Sequence, residues 1–159
     1  MKKIGILVAV ATILASITVP SVLACHTWTP GYWKNTRKHA WPSGSISLCG
    51  TTYVDVSTQP QELIGILKTP PAGGDAWIIL AQKYIALRLS MLKDSGTDWA
   101  AVPTIHPDYT DVVSLADAAE TWLCTHPQPC EPGEDGRGEG LDLAEAIDDI
   151  LNDPDYHQD

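Results

Sequence analysis

The chain has 159 residues, with 10 Lys and Arg against 20 Asp and Glu, a net charge of −10 and an isoelectric point of about 4.7. That acid excess argues against DNA, RNA or an anionic membrane as partner, because gripping phosphates needs Lys and Arg clustered on one face. Six Trp, five Tyr and no Phe make the aromatic complement indole-rich, so Trp must supply bulk in the core.

The first 24 residues follow the grammar of a secretion signal. Lys2 and Lys3 supply the charged start, Ile4 to Val19 is an uncharged apolar run, and Pro20 and Ser21 break it before Val22-Leu23-Ala24. The run of 16 residues is shorter than the roughly 20 that span a bilayer, so no transmembrane helix is expected after cleavage. The expected organisation is a signal peptide over 1–24, a single helical domain over 25–152 and a disordered acidic tail over 153–159. Val22-Leu23-Ala24-Cys25 also resembles a lipoprotein box, so the alternative to a secreted, extracellular or periplasmic protein is one anchored through lipid on Cys25.

Four cysteines remain after cleavage, and an exported chain meets oxidising conditions. Local loops favour two disulfides, Cys25 with Cys49 and Cys124 with Cys130. The charge divides sharply along the chain. Residues 25–93 hold seven basic against three acidic residues, and residues 94–159 hold one Arg against seventeen acids. The two halves can complement one another within the fold, and self-association through this asymmetry is a further possibility.

Thr29 followed by Pro30 starts a helical turn that Pro42 stops, which would set Trp33, Arg37 and Trp41 four apart on one face with Arg37 between two indoles. Ile46 to Val54 alternates weakly around Gly50 and reads as a short irregular hairpin. Ser57 or Thr58 caps a helix from Pro60 to about Lys68. Pro70-Pro71-Ala72-Gly73-Gly74 is a loop. Asp75 begins the longest helix, to about Lys93 and closed by Gly96, with apolar residues over most of its circumference and one charge, Arg88, within the apolar arc. Arg88 is read as structural, paired with a carboxylate such as Asp117 or Asp142, or snorkelling to solvent. Helices over 108–126 and 141–151 follow, separated by a polar, Gly-rich stretch over 131–140. The fold class is mainly α: a small single-domain bundle of four to five helices with a short irregular β-hairpin and two disulfides.

No catalytic signature is present, neither His-Glu-x-x-His, Gly-x-Ser-x-Gly, nor a phosphate or dinucleotide loop, so no catalytic residue is assigned, and neither a cofactor nor a metal is implied. Cys124, His126 and Cys130 supply three zinc-type ligands, but oxidation would remove two. Glu131 to Asp142 has the length of a calcium loop with its first and third positions wrong. The densest stretch carries the candidate binding residues Tyr32, Trp33, Lys34, Asn35, Arg37, His39 and Trp41. Exposed, they could stack on a sugar or a peptide; buried, they form a core corner.

This stretch resembles an uncharacterised family of exported bacterial and archaeal proteins with the pattern Thr-x-Gly-Tyr/Phe-Trp-Lys-Asn-His followed by Trp-Pro. Here it reads Thr29-Pro30-Gly31-Tyr32-Trp33-Lys34-Asn35, with Thr36 in place of His, then Trp41-Pro42. Glu62 to Leu67, Gly73-Gly74-Asp75, Ile85 to Leu89 and Ala116 to Leu123 continue the likeness. The resemblance implies export and an intact fold, and no activity. The expectation is an exported, non-catalytic domain that binds an extracellular or cell-surface partner or serves structure. A secreted hydrolase acting on cell-wall or polysaccharide substrate and a calcium-dependent extracellular module are the alternatives.

Overall fold

The computed structural model describes residues 26–126, 128–130 and 133–156. The signal segment, Cys25 with its expected pairing to Cys49, and residues 157–159 lie outside them. Among the described residues the chain forms α1 (Pro30–Trp33), β1 (Ile46–Leu48), β2 (Thr51–Tyr53), α2 (Gln61–Lys68), α3 (Ala76–Lys93), α4 (Val112–Thr125) and α5 (Arg137–Asn152). The mainly helical bundle with one small hairpin is as expected.

Helix α3 is the axis. Asp75 caps it, its carboxylate accepting the amides of Trp77 at 3.0 Å and Ile78 at 3.4 Å and so satisfying two donors that a helix start leaves open. The apolar residues that cover its circumference then pack on α5, α4, α2, α1 and β1. Leu80, Ile85, Leu87 and Leu89 are fully buried. Each contributes about 1.5–3 kcal/mol relative to exposure, enough for this helix to anchor the rest. Among the described residues no helix is long and apolar enough to cross a membrane.

Helix α4 starts with a capping box: Asp111 accepts the Ser114 amide at 2.8 Å while the Asp111 amide donates to the Ser114 hydroxyl at 3.3 Å. Its start thus lies four residues after the expected one. Helix α5 differs more. It begins at Arg137, so Gly138 and Gly140, read as loop, lie inside it. The cause is close packing: a Cβ at Gly140 would stand 2.4 Å from Trp122 Cζ2, so only glycine lets α5 approach α4 here. The Trp122 indole also donates to the Gly136 carbonyl at 3.1 Å, and His126 stacks on the same ring with centroids 4.2 Å apart.

Other local expectations are corrected by side-chain chemistry. Ser57 and Thr58 do not cap α2; they form a tight turn capped by Asp55, which accepts the Ser57 amide, and Pro60 precedes α2 without a side-chain cap. At the end of α3 it is Asp94, not Gly96, that closes the helix, with its amide on the Ser90 carbonyl. Residues 153–156, the beginning of the expected tail, make a turn whose Tyr156 carbonyl accepts the Thr27 amide at 2.7 Å. The Thr27 hydroxyl bonds the Ile150 carbonyl at 3.2 Å beside it, so the two ends of the described chain are tied together.

Candidate functional site

The aromatic segment makes a corner against the C-terminal end of α3. Helix α1 lasts only one turn, and the chain then folds back through successive turns over 34–39 instead of continuing to Pro42. This doubling back buries Trp33 at 0% exposure and Trp41 at 4%, with the Trp41 indole donating to the Trp33 carbonyl at 3.0 Å. Trp28 crosses Trp33 edge-on at a centroid distance of 5.9 Å, Tyr32 meets Trp33 edge-on at 4.9 Å, and Trp28 and Tyr32 are themselves 5.9 Å apart. His39 stacks on Tyr32 at 3.6 Å. The buried and the exposed readings of this motif therefore divide by residue: the indoles are scaffold, while Lys34 and Arg37 are exposed and Tyr32, Asn35 and His39 are half-buried.

Arg37 does not sit between the indoles, because the helix that would align it ends at Trp33. Lys93, from the last turn of α3, supplies the cation instead, against Trp28, Tyr32 and Trp33. Its ammonium lies 3.9 Å from the Trp28 ring centroid, 4.7 Å from Tyr32 and 5.4 Å from Trp33, and donates to the Tyr32 hydroxyl at 2.6 Å. Three ring faces around one cation form an aromatic cage, each contact drawing on the negative face of a π system. Nothing local in the sequence links Lys93 to a motif some sixty residues earlier; only its place in the last turn of an apolar helix distinguished it. Next to it His26 donates its amide to Asp94 at 3.0 Å. Lys34, Arg37 and Lys38, from the turns that follow α1, are exposed, as is Lys93.

A second place lies in the acidic half of the chain. His106, Asp108, Tyr109, Glu139, Asp142 and Leu143 border a depression of about 320 Å³ between the 105–109 segment and α5. Adjoining it, Ile105, Asp142, Glu145 and Asp149 border one of about 230 Å³. Asp142, proposed from sequence as a partner of Arg88 and as the end of a calcium loop, thus faces His106. Glu131, the first position of that loop, lies outside the described residues, and the seventh, Arg137, already belongs to α5, so the loop is cut short by helix. Among the described residues no three His, Cys, Asp or Glu side chains converge as metal ligands. The ion pair joining α3 to the acidic half is made by Lys83 with Asp148 rather than by Arg88. Arg88 is half-buried, and its charge acts on the Tyr84 hydroxyl.

A third place surrounds that hydroxyl. Buried Tyr84 shares its proton between the Ser47 carbonyl and the Glu120 carboxylate, at 2.8 Å each, and burial pushes its titration far above the usual range. Cys49, Cys124 and Cys130 are all thiols, with no bonded sulfur pair among the described residues. Cys124 faces Cys49, not Cys130, its expected partner. The 128–130 segment carries Cys130 to the start of α3, where its amide donates to Asp75 at 3.0 Å and its side chain is buried at 1% exposure. Burial, then the hydrogen bond to Cys124, then the charges of Cys124 and Glu120 push the Cys49 thiol up to about 12. His126, the zinc-type ligand beside these cysteines in sequence, is engaged with Trp122. No family model, curated protein or solved structure matches this chain, which leaves the geometry of these three places as the ground for function.

Proposed function

We propose that the chain is an exported, non-catalytic domain that binds an extracellular or cell-surface partner through the cationic rim of the aromatic corner. The Lys93 cage carries this reading: it gathers Trp28, Tyr32 and Trp33 around one ammonium, the indoles belong to the core, and the same segment carries exposed Lys34, Arg37 and Lys38. An aromatic edge of half-buried Tyr32 stacked on His39, in a segment with exposed cations, suits an anionic partner, such as acidic glycan or carboxylate-bearing peptide on a cell envelope, because these two rings contribute contact area at little conformational cost. The likeness of the Thr29 to Pro42 segment to exported proteins supports the same location.

Lys34 and Arg37 are exposed, so replacing both with Ala is expected to leave the melting temperature nearly unchanged while lowering co-sedimentation of the protein with isolated cell envelopes at least severalfold. A double variant that sediments like the parent protein overturns the binding surface.

A secreted hydrolase is supported by one observation, the carboxylates of Asp108, Glu139 and Asp142 gathered with His106 around a single depression. Release of reducing sugar from peptidoglycan or polysaccharide that disappears in Glu139→Gln and Asp142→Asn would favour it over the binding reading.

A further inference from the structure

Cys49 occupies an unusual place. It and Gly50 form the two-residue turn between β1 and β2, both with positive φ, at 49° and 76°. Such turns favour Asn or Asp before Gly, since a side chain in the left-handed region is strained. A cysteine here puts its sulfur at the tip of the hairpin. Helix α4 passes the same tip: the Tyr84 hydroxyl bridges Ser47 of β1 to Glu120 of α4, and Cys124 follows Glu120 by one helical turn on the same face. Cys49 and Cys124 are both exposed and close enough for each to act on the other, whereas Cys130 is buried with its amide on Asp75.

We propose that Cys49 and Cys124 form a disulfide that staples the β1–β2 turn to α4 when the protein meets a disulfide oxidant. The chemistry is thiol–disulfide exchange with a small-molecule or protein disulfide, RSSR. The Cys124 thiolate attacks one sulfur of RSSR, expelling RS⁻, which takes up a proton, and forms a mixed disulfide. Cys49 then gives up its proton and attacks Cys124 Sγ, releasing the second RS⁻. The pair loses two electrons and two protons, and RSSR becomes two RSH. The order follows from the neighbours of Cys49, whose thiol is held protonated partly by its bond to Cys124 and by the Cys124 charge. Capping Cys124 removes both of these contributions and leaves burial, the largest, in place, so resolution by Cys49 is the slower of the two steps. The bond would close a long loop containing β2, α2, α3 and most of α4, and cross-links of that span restrict the unfolded chain strongly.

Equilibration of the purified protein with oxidised glutathione, followed by alkylation, digestion and mass spectrometry without reduction, is expected to yield a linked peptide joining Cys49 to Cys124. Oxidation should raise the melting temperature by roughly 10 °C. Cys49→Ser and Cys124→Ser should each abolish that rise, and Cys130→Ser should retain it even if its starting stability is lower. A Cys124–Cys130 or Cys25–Cys49 peptide as the main product, or glutathione adducts alone, overturns the proposal. The outcome is independent of envelope binding, so it fails or stands apart from the proposed function.

Discussion

Two corners of the molecule are built from the same parts and behave differently. At one end of α3, Tyr32 stacks on His39 and three rings enclose the Lys93 ammonium. Near the other end, Trp122 stacks on His126 and the pair closes on the backbone of Gly136 and Gly140. The first corner meets the end of a long side chain, whose rotatable bonds let it shift at modest cost. The second meets a helix backbone, which cannot. An aromatic–imidazole stack can thus serve as an adaptable edge or as a fixed lock, depending on what stands opposite it.

Truncating the scaffold of the first corner should have the largest effect. Trp33→Ala empties a site at 0% exposure and is expected to cost about 3–5 kcal/mol, read by urea denaturation. An effect under about 1 kcal/mol would show that the corner is not part of the core. In the second corner Gly140→Ala adds one methyl group, which by helix propensity alone should stabilise α5 by about 1 kcal/mol. Three Trp122 ring atoms within 2.7 Å of that Cβ outweigh the propensity, because the indole is held by its bond to the Gly136 carbonyl. A net loss of about 1–2 kcal/mol is expected from overpacking, and a variant that melts higher than the parent would break the comparison.

Lys93→Gln tests the adaptable corner more gently. It removes three cation–π contacts from an exposed ammonium and should cost about 0.5–1 kcal/mol, diminishing with added salt. A cost as large as that of Gly140→Ala would mean that this corner is equally rigid. The smallest effect is the pH dependence of the cap on α4. The Ser114 amide first, then the Thr110 hydroxyl, hold the Asp111 carboxyl below its ordinary value of 3.8. Its folded form therefore prefers the charged state: the contribution is complete above about 3.8 and is lost as pH falls through the depressed value. Asp111→Asn should flatten a small part of the acid limb of the melting-temperature profile while leaving neutral pH almost unaffected.

Much of the fold was legible because it depends on near neighbours in sequence. Asp75 capping α3, the all-round apolar surface of that helix, the inward face of α4 and the short hairpin each follow from patterns within a few residues. The Gly-rich stretch before α5 was misread because glycine argues for a loop whenever its neighbour is unknown, and Trp122 lies eighteen residues away. The aromatic motif was recognised as important, but its division into buried indoles and an exposed cationic rim depended on where α1 stopped. Lys93 was marked only by its place in the last turn of α3.

The cysteines show the same division. Sequence proximity favoured Cys124 with Cys130, and it is the meeting of a hairpin tip with a helix face that sets Cys124 against Cys49 instead. The sequence by itself determined the helical class, the central place of α3 and the uneven charge, because propensity, capping and apolar periodicity act over a few residues. Only the tertiary structure decided which cation enters the aromatic cage, which glycine must remain glycine and which thiol faces which, because those contacts join segments brought together by burial rather than by the chain.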